Sequence, residues 1–75
     1  MEERIEINYK ILTGKPIIKG TRISVELILK LVAQRWTDEE IMAEYPSLTK
    51  ADIKAAIVYA EKLVENEEVY PIINI

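Results

Sequence analysis

Residues 14–24 read Gly14-Lys15-Pro16-Ile17-Ile18-Lys19-Gly20-Thr21-Arg22-Ile23-Ser24 and hold both glycines of the chain, one of its three prolines and three cations. Gly14 is free to take a positive φ and Pro16 fixes its own, so residues 13–16 form a turn signal. Ahead of that turn the chain alternates, with Ile5, Ile7, Tyr9 and Ile11 on one face and Arg4, Glu6, Asn8 and Lys10 on the other. A period of two predicts a half-buried strand over residues 4–12. Beyond the turn Ile17, Ile18, Thr21 and Ile23 suit a second extended segment, bulged or bent at Gly20. One hairpin is marginal in water by itself. This one is therefore expected to pack on helices or to pair with another chain.

Three helix starts follow. Ser24 is a good N-cap with Glu26 in the first turn, predicting a helix over 25–35. Val25, Ile28, Leu29, Val32 and Trp36 share its core face, whereas Leu27 and Leu31 fall on another. That second pair is expected to cover the hairpin or to meet another subunit, which makes Leu27 and Leu31 the candidate dimer interface. Thr37-Asp38-Glu39-Glu40 is a capping box for a short helix carrying Ile41, Met42 and Tyr45, stopped near Tyr45 by Pro46. Thr49 with Asp52 opens the longest helix, about 50–66, whose expected core stripe is Ile53, Ala56, Ile57, Ala60, Leu63 and Val64. Helix two, a short turn and helix three are compatible with a helix-turn-helix.

At 75 residues the chain holds one domain, here residues 1–66 with a β segment at 1–23 and a helical core at 24–66, followed by a tail at 67–75. The stability expected at this size is roughly 4–11 kcal/mol. Hydrophobic residues make up 49% of the chain, and a small domain that apolar tends to cover part of its surface with a partner or a second copy. There is no cysteine and no histidine, which removes disulfides, thiolate chemistry and the commonest general base and metal ligand. No apolar run long enough to span a membrane occurs, and Met1-Glu2-Glu3 does not resemble a signal peptide, so a cytoplasmic location is expected.

The net charge of −3 is unevenly spread. Residues 1–36 carry seven bases against four acids, a net +3, and residues 37–75 carry three bases against nine acids, a net −6. A basic front on an acidic body can hold a polyanion locally; ordinary surface scatter is the alternative. The end, Val69-Tyr70-Pro71-Ile72-Ile73-Asn74-Ile75, is apolar and β-prone where disordered tails are polar. It is expected to dock, either on its own domain or on a partner protein through Val69, Tyr70, Ile72, Ile73 and Ile75.

Residues 14–24 and 37–60 resemble a bacterial and archaeal family, domain of unknown function 433. The resemblance rests on Gly14 through Ser24, then Trp36-Thr37-Asp38-Glu39-Glu40-Ile41, Tyr45-Pro46-Ser47-Leu48-Thr49, and Asp52, Ile53, Ala55, Ala56, Tyr59 and Ala60. It implies a mainly α fold, a three-helix homeodomain-like helix-turn-helix core behind an N-terminal β-hairpin or strand. It also implies an antitoxin role beside small nuclease toxins of the PIN-like type, and no catalytic residues.

The residues themselves argue against an enzyme. Gly14-Lys15 lacks the spacing of a phosphate loop. Three of the carboxylates Asp38, Glu39, Glu40 and Glu44 occupy a first helical turn, where they favour the dipole rather than a metal. Ser24, Ser47 and the threonines have no histidine to activate them. No cofactor or small-molecule substrate is implied. For nucleic acid, the ribbon offers Lys15, Lys19 and Arg22, and the start of helix three offers Thr49, Lys50 and Lys54. That helix lacks Arg and Gln, and has no Asn near its start, so it is poor in base-reading side chains. A structural role for Gly20-Thr21-Arg22, with Thr21 bonding the bend and Arg22 pairing to a helix carboxylate, is the competing reading. Two functions are therefore expected to compete. One is a dimeric, antitoxin-like regulator binding its own promoter DNA and a PIN-like toxin; the other is a protein-binding or structural homodimer without nucleic-acid affinity.

Overall fold

The computed structural model describes residues 3–67; the tail assigned to partner capture, Val69–Ile75, lies outside them. Two short strands, β1 (Ile5–Ile7) and β2 (Pro16–Ile18), pair antiparallel with Ile5 opposite Ile18, Glu6 opposite Ile17 and Ile7 opposite Pro16. Three helices follow: α1 (Val25–Ala33), α2 (Asp38–Glu44) and α3 (Lys50–Glu67). The fold is mainly α behind an N-terminal hairpin, as the sequence implies.

The first strand is much shorter than the alternation over 4–12 predicts. Asn8 ends it: its Oδ1 accepts from Lys10 N–H at 2.9 Å and its carbonyl accepts from Ile11 N–H at 2.8 Å. A side chain that bonds its own following backbone competes with ladder formation. Leu12, Thr13 and Gly14 then take three successive positive φ angles of 50°, 53° and 84°. Tyr9 is left 82% exposed with its ring against Gly14, where a Cβ would stand 2.5 Å from Cδ1. Of the predicted apolar face, Ile5 enters the core and Ile7 is exposed. The second segment turns at Gly20, and Ile18 N–H donates to Ile23 C=O at 2.9 Å. Thr21 closes this bend, its hydroxyl donating to Ile18 C=O at 2.8 Å and accepting from Ile23 N–H at 3.0 Å.

All three helices start where their caps stand. Ser24 Oγ accepts from Leu27 N–H at 2.9 Å. Thr37 and Glu40 bond reciprocally at 3.1 and 2.8 Å, and Thr49 and Asp52 do the same at 3.1 and 3.0 Å. Before each cap sits an apolar residue, and five positions after it comes another: Ile23 and Ile28, Trp36 and Ile41, Leu48 and Ile53. Every member of these pairs lies in the core or packs against it. That is the hydrophobic-staple spacing, which fixes the angle at which the chain joins each helix. Leu48, 3% exposed, thereby anchors the turn between α2 and α3.

Three expectations are corrected. Leu31 is 7% exposed and belongs to this chain's core, and Leu27 packs against it, while Val32 from the predicted stripe is exposed. The Leu27–Leu31 pair is therefore not a free surface for a second subunit. On α3 the buried face is Asp52, Ile53, Ala55 and Ala56; Ile57, Leu63 and Val64 are exposed. α3 packs against α1 and β1 with Ala55 and Ala56 on its buried face, Tyr59 still packs against the core, and beyond it residues 61–65 are all exposed. α1 also stops at Ala33 rather than 35. Arg35 takes a φ of 72° and Trp36 N–H donates to Leu31 C=O at 3.1 Å, the left-handed closure usually given to glycine.

Candidate nucleic-acid interface

The ribbon and the start of α3 come together through a residue outside the predicted set. Arg4, just before β1, donates from Nη1 to Asp52 Oδ1 at 3.0 Å, and its carbonyl accepts from Lys19 N–H at 2.8 Å. Glu3, Arg4, Lys19 and Asp52 line one open cleft. Lys19 is exposed there, two residues beyond the core residue Ile17, and no ion pair holds it among the described residues. Asp52 is nearly buried and accepts from Thr49 N–H through its other oxygen at 3.0 Å. The cleft therefore joins the hairpin to the first turn of α3, with Arg4 shared between them.

Of the six predicted contacts, three are engaged within the chain. Lys15 Nζ lies 2.7 Å from Glu26 Oε1, and Lys50 Nζ lies 3.1 Å from Glu39 Oε2. Thr49 spends its hydroxyl on the cap of α3. The Lys15 hydrogen bond, and then its charge, hold the Glu26 carboxyl below its ordinary pKa. Glu39 is lowered too, by its own backbone amide first and then by Lys50. Both ion pairs are well exposed, so they are weak and exchangeable for another anion. Arg22 and Lys54 are exposed, and no ion pair is found for either among the described residues. The expected Arg22–carboxylate pair is thus absent from this set, whereas the Thr21 bend is present.

Sequence reasoning missed Arg4 because nothing local marks a partner 48 positions away. The only trace is a cation at the polar phase of the first strand. Among the described residues no group of three or more Asp or Glu side chains is placed to hold a metal ion, and no helix is long and apolar enough to cross a membrane.

Comparison with known proteins agrees with this architecture. The family described as "Protein of unknown function (DUF433)" matches residues 5–60, from β1 through two thirds of α3. No curated protein matches the chain. The crystal structure of a DUF433 member protein from Anabaena variabilis is similar at 35% identity with a TM-score of 0.76, over 84% of this chain and 62% of that one. The present chain thus spans less than two thirds of that relative's length. With the matched region covering both strands of the hairpin, all three caps and, of the cleft residues, Lys19 and Asp52, the chain belongs to the DUF433 family.

Proposed function

We propose that this chain is a non-enzymatic, antitoxin-like DNA-binding regulator of the cytoplasm, which binds its own promoter as a dimer and neutralises a PIN-like nuclease toxin. The observation that supports the DNA half is the cleft in which Arg4 and Lys19 stand beside the first turn of α3. Lys19, exposed and without an ion pair among the described residues, stands on the hairpin next to the second helix of a helix–turn–helix pair, where it suits a phosphate contact that sets orientation on a duplex; Arg4 beside it is engaged by Asp52. The toxin half rests on the family resemblance alone. Binding to the chain's own promoter fragment, measured across salt concentrations, tests the reading. Lys19→Ala is expected to weaken binding and to lower the salt slope by about one, the value for a single phosphate no longer neutralised. Undetectable binding at low salt, with and without co-purified partner protein, would overturn it. The second reading, a protein-binding homodimer without nucleic-acid affinity, is favoured by one observation: Lys15 and Lys50 already have carboxylate partners.

A further inference from the structure

The core face of α3 outruns the elements that cover it. Ala60 stands seven residues beyond Ile53, Leu63 seven beyond Ala56 and Val64 eleven beyond Ile53, so each lies within about 20° of a buried residue around the helix. Ile53 is 1% exposed and Ala56 0%, yet Leu63 is 45% exposed and Val64 64%. Ile57, 42% exposed, borders the same face. Tyr59 still packs against the core. Beyond it the apolar face runs on uncovered among the described residues.

We propose that the chain's own residues 69–75 fold back along the distal half of α3, antiparallel to it, and cover this face. The described structure ends at Glu67, the last residue of the same helix, so the segment departs about one turn from Leu63 and Val64. Pro71 cannot continue a helix and disfavours helical geometry at Tyr70, which turns the chain off the helix axis there. Residues 68–75 reach up to about 26 Å when extended, whereas the return from Glu67 to Ile57 needs only about 15 Å. The pattern fits as well. Pro71, Ile73 and Ile75 alternate in one phase, all apolar, and residues 69–75 hold no charged side chain that docking would strip of water. With the reversal at residues 68–70, the rise of an extended chain sets Ile73 level with Ala60 and Leu63, and Ile75 level with Ile57. Ala60, small between larger neighbours, leaves a recess for Ile73. Tethering favours this occupant over a free one, because a short link holds the segment beside the face at millimolar effective concentration. Such docking lengthens the core along α3 and assigns the apolar tail to its own domain, one of its two expected destinations. Leu63 lies about 16 Å along α3 from Asp52 in the cleft, so the inference stands or falls independently of DNA binding.

The chain has no cysteine, so pairs of introduced cysteines in the full chain report this contact directly. Ala60→Cys with Ile73→Cys is expected to close an intramolecular disulfide under mild oxidation, at a rate unchanged by dilution. Lys62→Cys with Ile73→Cys is the control, because Lys62 lies about 160° from Ala60 around the helix. That pair is expected to close at least about tenfold more slowly. In the unmodified chain, nuclear Overhauser contacts are expected between the methyl groups of Ile73 and Ala60. Leu63→Glu, at an exposed position, is expected to keep the helical circular dichroism and to abolish those contacts. A disulfide between positions 60 and 73 that forms only between chains overturns the proposal in favour of a second copy. Equally fast closure from position 62, or an absence of the methyl contacts in the unmodified chain, overturns it as well. So do methyl contacts that survive Leu63→Glu.

Discussion

Arg4 and Asp52 meet at 3.0 Å across 48 positions of sequence, fastening the strand end of the hairpin to the first turn of α3. Asp52 serves two structures at once, since its second oxygen caps the helix at Thr49 N–H. Asp52→Ala removes both bonds and is expected to cost about 3 kcal/mol, the sum of a cap and a charged hydrogen bond. Arg4→Ala is expected to cost about 1 kcal/mol, because the Arg4 side chain is half exposed and its charge is screened. Urea unfolding of the two variants compares them. Equal losses would assign Asp52's whole role to the ion pair.

The two leucines of α1 differ in the same kind of experiment. Leu31 is nearly buried, so Leu31→Ala is expected to lose about 2–4 kcal/mol, while Leu27→Ala at its half-buried site loses roughly half as much. A Leu31→Ala chain within about 0.5 kcal/mol of wild type would return Leu31 to the surface and reopen it as a subunit contact.

Gly14 and Gly20 have nearly the same positive φ but unlike surroundings, the Tyr9 ring at one and open space at the other. Gly20→Ala therefore isolates the backbone penalty, about 1 kcal/mol for a left-handed residue with a Cβ. Gly14→Ala carries the same penalty and must also displace the ring, which is free to swing because Tyr9 is mostly exposed. The two are expected to destabilise by similar amounts in thermal unfolding. A much larger loss at Gly14 would show that the ring is held in place.

Acid weakens the Lys15–Glu26 pair in a defined direction. The folded-state pKa of Glu26 lies below its ordinary value, so its contribution is complete above the usual carboxylate range and disappears as pH falls through the lowered pKa. Over that interval wild type is expected to lose slightly more stability than Glu26→Gln. In an NMR titration, Lys15→Ala is expected to return the Glu26 midpoint towards the ordinary carboxylate value. A midpoint unmoved by Lys15→Ala would detach Glu26 from this partner.

The helix starts were legible in the sequence because capping is local. Ser24, Thr37 and Thr49 each act on an amide three residues away, and no tertiary contact is needed to place them. The turn at Gly14 and the bend at Gly20 were legible for the same reason. Strand length was decided by Asn8, whose side-chain bond outcompeted an alternation pattern that runs on to Ile11. The buried face of α3 was decided by the tertiary structure: an eighteen-residue helix with apolar residues on several sides can settle in more than one rotation. Packing chose the one that buries Ala55 and Ala56 against the rest of the fold and lets Asp52 reach Arg4, leaving Ile57 and Val64 outside. The candidate site divides along the same line. Its ribbon cations can be named from residues 14–24, but only the folded chain, by packing β1 against α3 and joining Arg4 to Asp52, decides that Lys19 is the one beside α3.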